Sequence, residues 1–173
     1  MHTHPNIVLI GFMGTGKTTV GRLLSTRLSM TFTDMDDCIV QRAGKSIPEI
    51  FAQDGEPAFR AMERQVAMDL SALRGLVIAT GGGVVLNPDN VRDLGSCGLM
   101  VALTASADVI LDRLRHDAGR PLLNDGDKAE RIRTLLTSRL ALYNAIPHRI
   151  DTDHLPCEAV VEKIMDLYVR IKG

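Results

Sequence analysis

Gly11-Phe12-Met13-Gly14-Thr15-Gly16-Lys17-Thr18 matches G-x-x-x-x-G-K-[ST] at every specified position. Residues of these types at this spacing form a phosphate cradle. The glycines let the backbone turn its N–H groups inward around phosphate oxygens, Lys17 reaches the outer phosphates, and the Thr18 hydroxyl suits Mg²⁺. The context agrees: Asn6 to Ile10 upstream is a short apolar, β-branched run that reads as a buried strand, and Val20, Leu23, Leu24 and Leu28 downstream recur at helical spacing. A glycine-rich turn with an incidental lysine would need neither flank. The stretch predicts a nucleoside triphosphate site.

Other residues could serve the same chemistry, and each also has a plainer reading. Asp34 and Asp36 close a predicted strand, where one could orient Mg²⁺ or its waters and the other face an acceptor hydroxyl; the plainer reading is an acidic turn or a helix cap. Arg60 stands next to Phe59 on a predicted helix, bordering its core stripe, and could form a surface pair with Glu63. Arg139, on another helix, reads locally as solvated. Both carry the planar fork that partners a carboxylate, which suits an anionic acceptor. Gly81-Gly82-Gly83 at a strand end signals close backbone approach. Arg120 lies in the turn-rich stretch from Asp117 to Asp127, where an arginine could swing in to neutralise a transferring phosphoryl group or simply be exposed. The five histidines lack metal-ligand spacing, and the eight methionines fall at core-like positions.

These residues need strands and helices in alternation to hold them. Strands are expected at 6–10, 30–33, 76–80, 99–103 and 148–152. Short helices are expected at 36–44 and 47–54, with Ser46 as a cap, and a long amphipathic helix from about Pro57 to Gly75. Pro88 and Asn90 open a helical turn or two, and further helical stripes follow: Ala107 to Leu114, Ala129 to Tyr143, and Val160 to Ile171. The alternation implies a mostly parallel sheet covered on both faces, with ligands outside the strands' carboxyl ends. At 173 residues and 45% hydrophobic content the chain makes one domain. Net charge −1 supplies no basic field for nucleic acid or an anionic membrane. Three cysteines without C-x-x-C spacing indicate neither a disulfide framework nor zinc. No signal-peptide pattern or bilayer-length apolar run is evident, which predicts a cytoplasmic protein.

In this order the motifs resemble the shikimate kinases, small P-loop kinases of the nucleoside-monophosphate-kinase type. The likeness rests on Gly11 to Thr18, Asp34-Met35-Asp36, Gly55 to Glu63, Gly81 to Gly83, Arg120-Pro121-Leu122-Leu123, and Arg139 with Leu142-Tyr143. It implies a three-layer αβα sandwich on a five-stranded parallel sheet of order 2-3-1-4-5, with the P-loop after strand 1. It also implies transfer of the ATP γ-phosphate to the shikimate 3-hydroxyl, on the route to chorismate and the aromatic amino acids. Acceptor-binding helices would cover about 36–62 and a lid about 115–127. Gly14, Thr15, Gly16, Lys17, Thr18 and Thr19 would contact ATP, with Thr18 and, through water, Asp34 at Mg²⁺. Asp36 would face the acceptor hydroxyl, Arg60 and Arg139 would clamp the carboxylate, and Gly81, Gly82 and Gly83 would line that pocket. Arg120 would be the lid arginine, with Lys17 and Asp36 the other catalytic groups. Arg113 would stack on adenine, with His154 to Pro156 opposite. Val40 and Ala141 depart from the family pattern, where an acid and a proline are common. Alternatives are a kinase for gluconate or a nucleoside monophosphate, and a nucleotide-dependent switch without an acceptor. A monomer is expected.

Overall fold

A computed structural model describes residues 4–115 and 127–172. β1 (Asn6–Gly11), β2 (Thr31–Asp34), β3 (Leu76–Ala79), β4 (Gly98–Thr104) and β5 (His148–Asp151) form one parallel sheet in the order β2-β3-β1-β4-β5. This is the strand order that the family resemblance implies. β1 lies at the centre and is buried along its whole length, which is why Ile7 to Ile10 are continuously apolar and do not alternate.

Successive β1 residues feed two separate cores. Ile7 and Leu9 pack with Val20 and Leu24 of α1 (Lys17–Leu28) and with Val160 and Ile164 of α8 (Cys157–Lys172). Val8 and Ile10 join the other core, with Ile39 of α2 (Met35–Ala43), Ile50 of α3 (Ile47–Gln53) and Phe59 and Val66 of α4 (Gly55–Ser71). Leu94 of α5 (Pro88–Ser96), Ile110 of α6 (Ala107–Arg113) and Ile132 of α7 (Lys128–Asn144) complete it. Burying side chains of this size contributes about 1.5–3 kcal/mol each, so a polar change at β1 would be costly on either face.

The helix starts follow local rules. Asp34 caps α2 by accepting from Asp36 N–H, and Ser46 and Glu49 form a reciprocal capping box on α3. α4 begins at Gly55, two residues before Pro57, because Asp54 ends α3 and stands at the start of α4, with no side-chain cap, while Gly55, at φ +82°, makes the corner. Pro57 is then still in the first turn, where its missing N–H costs nothing. α5 runs through nine residues, longer than the turn or two expected, and a single 3₁₀ turn at Val84–Leu86 follows the glycine triplet. Among the described residues no helix is long and apolar enough to cross a membrane, and all three cysteines are free thiols.

Candidate active site

The chain leaves β1 at Gly11, where an added Cβ would overlap the Leu103 carbonyl oxygen of the neighbouring β4, so only glycine fits. The loop then turns Thr15 inward: its hydroxyl donates to Phe12 O at 2.8 Å, and it is 1% exposed. Thr15 therefore shapes the loop with its side chain and has only its backbone to offer a ligand. Gly16, at φ 96°, starts α1 without any side-chain cap and with no acid in the first turn. By contrast α2, α3, α5, α6 and α7 each begin with a capping side chain. α4 also starts without a side-chain cap but carries Glu56 in its first turn, whereas the uncapped, acid-free start of α1 beside a glycine loop leaves N–H groups and the positive end of the dipole for an anion.

Lys17 Nζ donates to Gly11 O at 2.9 Å and Phe12 O at 3.0 Å, so the ammonium lies across the loop's mouth. Thr18 Oγ1 donates to Asp34 Oδ2 at 3.0 Å, while Asp34 Oδ1 accepts from Asp36 N at 3.0 Å. The cap and the metal reading of Asp34 are thus compatible: each uses a different oxygen. A hydroxyl and a carboxylate meeting at a phosphate cradle fit Mg²⁺, a hard cation that takes oxygen ligands and keeps several from phosphate and water. Among the described residues no group of three or more His, Cys, Asp or Glu side chains that could hold a metal ion occurs.

The glycine triplet following β3 carries the second half of the site. A Cβ on Gly82 would lie 3.3 Å from Met13 N and 3.5 Å from Gly11 O, so this turn rests directly on the cradle. A Cβ on Gly81 would lie 3.0 Å from Asp36 Oδ1 and 3.2 Å from Glu63 Oε1; one on Gly83 would overlap the Arg60 guanidinium. Arg60 donates to Glu63 Oε2 and to Glu56 Oε1, both at 2.9 Å, with its head 5.2 Å from the Phe59 ring. The predicted pair with Glu63 forms, and it forms inside the site: Arg60, Glu63, Leu86, Asn87 and Pro88 line a cleft of about 380 Å³.

Arg139 departs from its local reading as a solvated residue. It is 5% exposed, its head lies 5.9 Å from the Phe12 ring of the cradle, and its charge acts on Glu63 and Tyr143. Glu63 itself is buried, and burial pushes its carboxyl up from the ordinary range against the downward pull of Arg60, while Asp36 nearby pushes it further up. Nothing among the described residues donates to its Oε1.

A second cleft of about 380 Å³ opens on the other side of the cradle, walled by Gly14, Thr19, Val20, Leu155, Cys157 and Val160, with Arg113 and Thr152 at its edge. Arg113 is tied down: it donates to Gly14 O and Thr152 Oγ1 at 3.1 Å and to Thr152 O at 2.7 Å. It braces the cradle against the segment after β5 besides bordering the cleft. His154 is exposed beside Leu155, and Leu155 forms the wall. Arg120 and nearly all of the predicted lid lie outside the described residues.

The fold brings Lys17, Thr18, Asp34, Asp36, Arg60, Gly81 to Gly83 and Arg139 to one end of the sheet. Glu63 and Tyr143 belong there too, although sequence reasoning gave Glu63 only as an ion-pair partner and Tyr143 only as part of a motif. Their spacing held the clue: Glu63 is three residues from Arg60 and Tyr143 four from Arg139, so each shares a helix face with an arginine of the site.

Comparison with known proteins bears on the family and the fold. The shikimate kinase family model matches residues 13–168. Shikimate kinase of Pelotomaculum thermopropionicum is 47% identical over 160 residues, covering 92% of this chain and 93% of that one. That of Geobacter sulfurreducens is 48% identical over 159 residues, covering 92% and 88%. Among solved structures, Acinetobacter baumannii shikimate kinase in complex with shikimate superposes with a TM-score of 0.92 at 37% identity, covering 97% of this chain and 94% of that one. A Sinorhizobium meliloti gluconokinase, at TM-score 0.59 and 18% identity over 99% of this chain and 95% of that one, shares the fold alone. A family model matching residues 13–168 and relatives 47% and 48% identical over nearly the whole chain show that this chain belongs to the shikimate kinase family.

Proposed function

We propose that this kinase transfers the γ-phosphoryl group of ATP to the 3-hydroxyl of shikimate, with residues 1–173 acting as a single kinase domain. The observation that carries the reading is the convergence of Arg60, Arg139 and Asp36 on a glycine turn that lies against the phosphate cradle. Two arginine forks suit a carboxylate, a carboxylate suits a hydroxyl, and the glycines leave room for a compact ring.

In this reading the acceptor hydroxyl oxygen attacks the γ-phosphorus while the bond to the β–γ bridging oxygen breaks, and ADP leaves. The hydroxyl proton passes to Asp36. Backbone N–H groups of Gly14 to Thr18 and the Lys17 ammonium hold the phosphates where charge develops. Thr18 and, through water, Asp34 would hold Mg²⁺, which would supply charge neutralisation to the transferring phosphates. Arg60 and Arg139 hold the acceptor carboxylate, Glu63 keeps the Arg60 fork in place, and α2, α3 and the start of α4 form the acceptor side. The cleft at Val20, Leu155 and Cys157 takes the nucleoside.

The test is ADP release in a coupled assay with Mg·ATP and shikimate, gluconate, AMP or no acceptor. Shikimate should stimulate release far above the other three. A rate with shikimate equal to the acceptor-free rate would sink the proposal and leave a nucleotide-hydrolysing switch as the better account.

A further inference from the structure

Thr152 is the first residue beyond β5, and its buried side chain, 3% exposed, meets three other parts of the chain. Its hydroxyl proton is shared between Thr104 O, at the end of β4, at 3.0 Å and Thr15 O of the cradle at 3.3 Å. The same oxygen accepts from Arg113 Nη1 at 3.1 Å, while Thr152 O accepts from Arg113 Nη2 at 2.7 Å. Arg113 Nη1 also donates to Gly14 O at 3.1 Å, so the fork spans the cradle and the β5 exit. α6, which carries Arg113, is tied to the same segment at its other end, where Ser106 N donates to Asp153 Oδ1 at 2.7 Å. Thr152, Gly14, Thr15 and Arg113 all border the cleft walled by Leu155 and Cys157.

We propose that Thr152 is a positioning residue for the nucleotide: its hydroxyl joins the Thr15 carbonyl to the Arg113 fork, so that the phosphate cradle and the nucleoside cleft keep one spacing. The inference rests on the assignment of that cleft to the nucleoside. A ligand that reaches into both places gains fully from both when their separation is fixed before it arrives. Otherwise part of its binding energy goes into ordering the loop against the β5 exit. The link consists of buried polar groups, which makes it depend on the hydroxyl. Valine at 152 would keep the branched shape, yet it would take a donor from the Thr15 carbonyl and an acceptor from Arg113. Serine would keep the hydroxyl and lose only a methyl group. None of these bonds involves Asp36, Arg60 or Arg139, so the acceptor side should not feel the change.

By titration calorimetry, Thr152→Val should raise the ADP Kd about five- to tenfold and leave the shikimate Kd within about twofold of the wild type. Thr152→Ser should bring the ADP Kd back to within about twofold of the wild type. An ADP Kd within about twofold of the wild type in Thr152→Val overturns the proposal, as does an equal loss of shikimate affinity or a serine variant as weak as the valine one. The Leu155 methyl signals in NMR test the assignment beneath it. If ADP leaves them unmoved, the cleft is not the nucleoside site and this inference falls with that assignment. If they move while Thr152→Val binds ADP as the wild type does, the inference alone is overturned. Should Thr152→Val not fold, Thr152→Ala takes its place beside Thr152→Ser, since those two differ only in the hydroxyl, and the same limits decide.

Discussion

Arg60 is held by two carboxylates at once, and that arrangement shapes what its replacement will do. Glu63 is buried and Glu56 half in solvent, so the pair with Glu63 is the one that depends on Arg60 for compensation. Alanine at 60 would strand a buried carboxylate and confuse stability with binding. Lysine keeps a charge beside Glu63 yet loses the planar fork. Arg60→Lys should therefore raise the shikimate KM about tenfold with the ATP KM unchanged, as steady-state kinetics with each substrate varied will measure. Equal changes in both KM values would argue that Arg60 serves the whole site and not the acceptor. At this scale the sequence was only half legible. Lys17 and Thr18 declared themselves through spacing, whereas Arg60 and Arg139 each looked like an ordinary surface arginine. What separates them from one is burial by other elements, which no local window contains.

The β3 exit is the element where backbone does the work of side chains. Gly83 has φ −91°, an ordinary value for any residue, so a substitution there is decided by space and not by strain. Gly83→Ala would push its methyl into the Arg60 head, which sits at the end of a flexible side chain and can move. We expect a folded protein with a weakened acceptor site: a shikimate KM raised several-fold, about 3–10, and nucleotide affinity by titration calorimetry unchanged. Loss of nucleotide affinity to the same degree would mean that the turn and the cradle move together. Strand runs and caps such as Ser46 were legible because their causes lie within a few residues. The start of α4 at Gly55 and the length of α5 were not: Asp54 serves two helices, and α5 continues because Leu94 reaches the core.

Across the whole molecule, two cores share one central strand, and the larger of them carries the site's titrating groups. Tyr143 is a member of that core, and its alkaline behaviour will be read in global stability. Below pH 10 the phenol is neutral in folded and unfolded chains and contributes no pH dependence. As pH rises toward 12 the unfolded chain's phenol ionises first, so the folded state loses up to about 2–3 kcal/mol across that window. Urea unfolding from pH 9 to 11.5 should show this loss, and Tyr143→Phe should flatten it; an unchanged slope would mean that another group governs the alkaline limb. The parallel, doubly covered architecture was legible from the alternation of strands and helices. The order of the strands was not, because pairing between β1, β3 and β4 joins segments about 70 and 90 residues apart, as the Ile7 partners Val77 and Leu99 illustrate; that order came from the family resemblance.

The Lys17 ammonium donates to the Gly11 and Phe12 carbonyls, and under the proposed function those two bonds would bear on which anion the cradle accepts. A cation already satisfied by two carbonyls is not a bare charge that any phosphate can claim. An incoming anion must displace those two acceptors and offer more in return, which a triphosphate with three charged groups does and an inorganic phosphate or a monophosphate does poorly. On the proposed reading, a ligand that reaches Lys17 must compete with two backbone carbonyls, which would favour one whose outer phosphates reach furthest into the loop.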